Sequence, residues 1–110
     1  MIDLALRAIA EPRRRDILRL VQDVELSSGE IASHFEVTGP AISQHLRVLT
    51  DAGLVVLRKQ GTRHLYRTRP EGIAELRSFL EEFWDGRLQM LKEAAEAEER
   101  RTTTIDNQRE

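Results

Sequence analysis

Residues 37–55 read "VTGPAISQHLRVLTDAGLV", and residues 57–68 continue as "LRKQGTRHLYRT". The first stretch is a short helix with both ends signalled. Thr38 can accept a free first-turn N–H, Pro40 sits where a missing N–H costs least, and Gly53 suits the left-handed conformation that closes a helix. At about 100° per residue, Ile42, Leu46 and Leu49 fall within about 60° of one another and make an inward face. Ala41, Ser43, Gln44, Arg47 and Val48 lie around the other side. The runs "LVVLRKQ" and "RHLYRT" are rich in β-branched and aromatic residues and flank Gly61, a pattern that reads as a β-hairpin.

Working outward toward the N-terminus, Ile2, Leu6, Ile9 and Ala10 recur at helical spacing and predict a first helix over about residues 3–10. Pro12 opens a second helix, in which Ile17, Leu20, Val21 and Val24 form a core-facing stripe. "SSGE" is a break, with Ser27 or Ser28 as the cap of a short third helix carrying Ile31, Ala32 and Phe35. Two short helices joined by the tight turn "EVTG" and followed by a charged hairpin make a winged helix-turn-helix. The expected fold class is mainly α with a small β-hairpin.

Beyond the hairpin, residues 71–99 form one long helical pattern in which Ile73, Leu76, Leu80, Phe83, Trp84, Leu88 and Leu91 share a stripe about 140° wide. A core of this size cannot cover all of it, so a second copy is expected to do so, and Arg87 within the stripe needs a carboxylate or an edge open to solvent. Residues 1–99 are expected to be one winged helix-turn-helix domain with its dimerisation helix at 71–99. "RRTTTIDNQRE" lacks periodicity, and residues 100–110 are expected to be a disordered tail.

The 110-residue chain has a net charge of -2, but the charge is segregated. Residues 38–69 hold Arg47, Arg58, Lys59, Arg63, Arg67 and Arg69 against the single acid Asp51, a balance of +5, and the rest of the chain carries -7. The absence of cysteine removes disulfides, thiolate metal sites and a cysteine nucleophile. No apolar run approaches the roughly 18 to 20 residues that span a bilayer, and "MIDLALRAIAEP" lacks the layout of a signal peptide, so a cytoplasmic protein without membrane contact is expected. No nucleophile and base stand at readable spacing, and there is neither a glycine-rich phosphate loop nor a metal motif. An enzyme is not expected.

A helix of this size, beginning at Pro40, fits the DNA major groove, where base edges differ in their donor and acceptor patterns. Ser43 and Gln44 are suitable readers, Gln44 can pair bidentately with adenine, and Arg47 can address guanine or phosphate. Thr38 and Ala41 lie at the same helix's start. Arg58, Lys59, Arg63 and Arg67 on the hairpin would contact the backbone or enter the minor groove, adding affinity more than sequence choice. His45 lies about 60° from the centre of the apolar face and suits either a base contact or packing with a backbone hydrogen bond. Arg13, Arg14 and Arg15 stand at a helix start, where positive charge opposes the helix dipole; an ion pair to acids such as Glu11 or a phosphate contact would account for them.

"ALRAIAEPRRRDILRLV", "LSSGEIASHFEVTGPAISQHLRVLTDAGLV" and "RKQGTRHLYRTRPEGIAELRSFLEEFWDGRLQMLK" together resemble the ArsR/SmtB family of bacterial transcriptional repressors, from Leu4 to about Lys92. The resemblance implies a homodimer joined through its first and last helices, with an interface drawn from Ile2, Leu6, Ile9, Leu76, Leu80, Phe83, Trp84, Leu88 and Leu91. It also implies repression at an inverted-repeat operator in double-stranded DNA, often that of its own operon. The departures concern the effector. Metal-sensing members carry a Cys-x-Cys type motif near the third helix, where this chain has "ELSSGEI", and residues 71–99 contain no histidine for the family's second site. No metal or other cofactor is expected, and the effector is left open. Gly39 stands where a longer polar residue often precedes the family's proline, which removes one contact.

Two alternatives remain. One is an effector-responsive regulator with a non-thiol metal or small-molecule site at the dimer interface, built from Glu71, Glu75, Glu81, Glu82 or Asp85. The other is a winged-helix protein-interaction module without DNA binding, which the six basic residues of 38–69 argue against.

Overall fold

The computed structural model describes the backbone of residues 2–109 and the side chains of residues 2–101. They fall into two compact units, Met1–Arg77 and Ser78–Glu110, where the sequence pattern suggests one domain over 1–99. The elements run α1 (Ile2–Ile9), α2 (Pro12–Leu20), β1 (Leu26–Ser27), α3 (Ser28–Ala32), α4 (Gly39–Asp51), β2 (Val55–Gln60), β3 (Arg63–Thr68) and α5 (Pro70–Arg109). The expected tail over 100–110 falls, apart from Arg100 and Arg101, outside the residues whose side chains are described.

The starts of α2, α3 and α4 each have a local cause. The Glu11 carboxylate accepts from Arg13 N–H at 3.1 Å and Pro12 follows it, opening α2. Ser27 and Glu30 form a reciprocal capping box at α3: Glu30 N–H donates to Ser27 Oγ at 3.1 Å, and Ser27 N–H donates to Glu30 Oε1 at 3.0 Å. That selects Ser27 over Ser28 as the cap. Thr38 Oγ1 accepts from Ala41 N–H at 3.2 Å ahead of α4.

The arginine run at 13–15 has a role that the sequence did not disclose. Arg14 donates to the carbonyls of Ala8 (2.7 Å, from Nε) and Arg7 (3.1 Å, from Nη2), and Arg15 donates to the carbonyl of Ile9 at 2.7 Å. These carbonyls lie in the last turn of α1, where Arg7 O also accepts from Ala10 N–H at 3.3 Å, so the cations sit where that helix's dipole favours them. The Arg13 guanidinium lies over the Phe35 ring, 4.8 Å from its centroid.

The core of the first unit gathers Ile17 and Val21 from around α2, Ile31 from α3, Ile42, Leu46 and Leu49 from α4, and Leu54 and Val55 at the entry to β2. Ala5 and Ala8 of α1 and Leu76 of α5 complete it. The sheet is antiparallel with strand order β1-β3-β2. The hairpin was expected; β1 was not, because two residues, Leu26 and Ser27, pairing with Tyr66 and Leu65, are too few to carry a periodic signal.

Two glycines join α4 to the hairpin and to α5. Gly53 has φ +75°, the left-handed turn that ends α4, and its carbonyl faces the first turn of α5. A methyl group placed on Gly72 would lie 1.9 Å from that carbonyl oxygen. Arg69 N–H donates to Leu54 O at 2.8 Å beside the same contact. Gly72→Ala is therefore expected to lower stability by about 1–3 kcal/mol or more. Gly86→Ala, with nothing within 4 Å of the added carbon, is expected to raise it by roughly 0.5–1 kcal/mol. Urea denaturation of both variants checks the contrast, and a neutral Gly72→Ala would contradict the close approach.

Candidate nucleic-acid interface

The buried side of α4 sets its exposed side. Ile42, Leu46 and Leu49 are at most 1% exposed, so the helix cannot roll without expelling one of them from the core. Ser43, Gln44 and Arg47 are consequently held out to solvent, and Ala41 and Val48 are half-buried at the margins. Among the described residues, the side chains of Ser43, Gln44 and Arg47 make no hydrogen bond or ion pair within the chain. Their donors and acceptors are free for an outside partner. Thr38 is exposed but committed at its hydroxyl oxygen to capping α4, with its hydroxyl hydrogen still to place.

His45 is half-buried, and Arg14 Nη1 lies 3.4 Å from its Nδ1. An arginine can only donate, so Nδ1 accepts and the proton of the neutral ring sits on Nε2. Burial, followed by the positive charge of Arg14, lowers the imidazole pKa below the usual histidine value. His45 thus belongs to the packing that joins α2 to α4, and its Nε2–H is the atom left for another contact.

The hairpin cations divide by face and by commitment. In the β2–β3 register Arg58 stands opposite Leu65 and Lys59 opposite His64, so alternation puts Arg58, Arg63 and Arg67 on one face and Lys59 on the other. The Arg58 guanidinium grips the Glu25 carboxylate, with Nε 3.2 and 3.0 Å from its two oxygens and Nη2 on Oε1. This bond is the largest cause holding the Glu25 carboxyl below its ordinary pKa and raising that of Arg58. Arg63 Nη2 donates to Glu30 Oε1 at 2.7 Å. Glu30 is likewise held below its ordinary value, first by the Ser27 backbone N–H and then by the Ser27 hydroxyl. Arg67 has only a longer-range attraction to Glu25, and Lys59 has no partner among the described residues. Arg69, the sixth cation of the segment, donates to Gly53 O at 3.4 Å and serves the joint between α4 and α5.

Glu25 and Glu30 were not anticipated as part of this surface. Glu30 had a visible signal, since Ser27-x-x-Glu30 is a capping-box spacing that places its carboxylate at a known position. Glu25 had none, because its meeting with Arg58 depends on the unexpected strand β1.

The residues expected at a dimer interface separate into two groups. Ile2, Leu6 and Ile9 are half-buried against the first unit's own core, and Leu76 is only 7% exposed within it. In the second unit Leu80, Phe83, Trp84, Leu88 and Leu91 are exposed, Trp84 at 54%. Arg87 is exposed to solvent, and its guanidinium also lies over the Phe83 ring, 5.3 Å from its centroid. Among the described residues no three His, Asp or Glu side chains are grouped to hold a metal ion, and no helix is long and apolar enough to cross a membrane.

Residues 11–56, from the cap of α2 into β2, match the family model described as bacterial regulatory protein, arsR family. The chain is 44% identical over 82 residues to the HTH-type transcriptional regulator Rv2034 of Mycobacterium tuberculosis, covering 74% of this chain and 77% of that protein. It is 35% identical over 66 residues to the arsenical resistance operon repressor of Staphylococcus xylosus, covering 60% of this chain and 64% of that one, a little under two thirds of its length. Among solved structures, it resembles the homodimeric winged helix-turn-helix DNA-binding domain of a possible ArsR-family transcriptional regulator from Mycobacterium bovis. That likeness has a TM-score of 0.63 and 31% identity, and covers 76% of this chain and 78% of that one. With its capped α4, its paired wing and a relative of this identity matched over most of both chains, the protein belongs to the arsR family of bacterial regulatory proteins.

Proposed function

We propose that this chain is a sequence-specific DNA-binding transcriptional repressor that works as a homodimer on an inverted-repeat operator. The observation that carries the reading is the outward face of α4, where Ser43, Gln44 and Arg47 are exposed and unpaired on a helix pinned by Ile42, Leu46 and Leu49. In the major groove Gln44 would pair with adenine, Ser43 would donate or accept, and Arg47 would take guanine or phosphate. Arg58, Lys59, Arg63 and Arg67 supply the sequence-independent part, one phosphate contact at a time. His45 is assigned to positioning α4 rather than to base reading. Two α4 helices placed by two-fold symmetry would enter successive major grooves about 34 Å apart on one side of the duplex. A promoter so occupied is closed to polymerase, in the cytoplasm where the DNA is.

The homodimer reading is supported by the apolar side chains at Leu80, Phe83, Trp84, Leu88 and Leu91, which find no cover within their own unit. Ile2, Leu6 and Ile9 would add the edge of α1.

The direct test exposes the purified protein to fragmented genomic DNA from its source at two salt concentrations and sequences what is retained. An enriched inverted repeat is expected, with a reporter placed behind it silenced by the protein; activation of the reporter would overturn repression, and retention without a motif would overturn sequence specificity. Gln44→Ala is expected to cost about 1–3 kcal/mol of binding to the recovered site and to relax preference at one base pair, read by competition among single-base variants. An unchanged preference profile would remove Gln44 from the reading set. Trp84→Ala is expected to raise the dimer dissociation constant by tenfold or more, about 1.4 kcal/mol, because large aromatics anchor such patches. Sedimentation velocity that shows an equally tight dimer would place the interface elsewhere.

A further inference from the structure

We propose that Glu25 and Glu30 are specificity-determining residues: their carboxylates occupy the guanidinium groups of Arg58 and Arg63 and keep them from non-specific phosphate. The inference rests on the reading of the chain as a DNA-binding protein and adds two acidic residues that no base or phosphate would touch.

The geometry is that of a phosphate mimic. A carboxylate offers an arginine two oxygens at the spacing that phosphate offers, and Glu25 engages Arg58 through both Nε and Nη2. Glu30 receives Arg63 on the same oxygen that caps α3, so its position is fixed by the backbone of Ser27 before the arginine arrives. Both pairs join distant parts of the sequence, 33 residues apart in each case, and both arginines stand on one face of the hairpin. The pairs are also exposed, with arginine side chains 54% and 57% open, so solvent screens them and a phosphate can displace the carboxylate. Lys59, on the other face, has no such partner among the described residues.

The consequence depends on how long the wing stays beside a phosphate. On an operator, base contacts from α4 hold the hairpin against the backbone, and exchange of carboxylate for phosphate becomes an intramolecular step with a high effective concentration. On other sequences α4 has no base contacts and encounters are brief, so the arginines stay on Glu25 and Glu30 and fewer counterions are released. The two glutamates therefore lower non-specific affinity more than operator affinity.

The test measures salt dependence with a mixed-sequence duplex and with an operator fragment recovered by genomic capture, using the full chain and its Glu25→Gln, Glu30→Gln and doubly substituted forms. The side-chain amide oxygen introduced by Glu30→Gln still accepts from Ser27 N–H, so the cap of α3 is kept, and thermal melting verifies the fold. On the mixed duplex each substitution should steepen the log–log salt slope by about 0.9 per released arginine, an added three- to fourfold loss of affinity between about 50 and 200 mM salt. The operator slope should stay where it is, and the ratio of operator to mixed-duplex affinity should fall. In an Arg58→Ala background, Glu25→Gln should lose its effect, which separates a role through Arg58 from a general change in charge. Equal slopes for wild type and variants on the mixed duplex, or an effect of Glu25→Gln that persists without Arg58, would overturn the proposal while leaving the DNA-binding reading intact. Failure of wild type and double variant alike to bind either duplex at low salt would overturn both.

Discussion

The backbone contact between Gly53 and Gly72 is the constraint on which the placement of the reading surface depends. Gly53 turns left-handed at the end of α4, which sends Leu54 and Val55 straight into the core as β2 begins. Its carbonyl then faces Gly72, so close that only a hydrogen on the α-carbon fits. Arg69, three residues before Gly72, binds the other side of this joint twice, with its N–H on Leu54 O and its guanidinium on Gly53 O. The end of α4, the entry to β2, the exit of β3 and the start of α5 are thereby tied at one point. The helix that would read bases and the hairpin that would grip the backbone cannot change their relative placement without opening it.

The arginines impose a second constraint. Six cations lie between residues 38 and 69, but a count of charge does not say which are available. Arg69 is spent on the joint, and Arg58 and Arg63 are held by Glu25 and Glu30. Arg47, Lys59 and Arg67 remain. The same holds upstream, where Arg14 and Arg15 satisfy the last carbonyls of α1 and Arg13 lies over Phe35. Guanidinium groups do these jobs well because their planar fork of donors reaches two acceptors at once and they stay charged when partly desolvated. A cluster of arginine in a small regulatory domain is thus as much a structural fastener as a surface for nucleic acid.

This difference explains what could be read from the sequence. The helices, the cap at Thr38, the closing glycine and the hairpin depend on local patterns of period 3.6 or 2, and residues a few positions apart carry them. Ser43, Gln44 and Arg47 were legible for the same reason, since the positions of Ile42, Leu46 and Leu49 leave them only one side. The interactions that stayed hidden join distant segments: Gly53 with Gly72, Glu25 with Arg58, Arg14 with His45. No periodicity connects such pairs, and β1, the element that brings Glu25 to the wing, is two residues long. His45 shows the boundary well, because its angle on the helix left both roles open, and the approach of Arg14 from α2 to Nδ1, which leaves Nε2–H for another contact, carried no signal in the sequence.

The second unit presents the opposite case, in which the local pattern is clear and the packing is missing. Residues 80–101 contain no buried side chain, although Leu80, Phe83, Trp84, Leu88 and Leu91 repeat at helical spacing. Isolated helices owe little of their stability to propensity alone, and burial of one face ordinarily supplies it. An uncovered aromatic and aliphatic stripe is therefore a reason to expect a partner rather than a solvated surface, and a second copy offers an identical stripe that can be matched by a two-fold axis. That axis would serve two ends, since the symmetry that buries Trp84 is also the symmetry that an inverted repeat requires of the two α4 helices. Folding, assembly and operator geometry would then be one problem, with Trp84 bearing on DNA affinity without approaching the DNA.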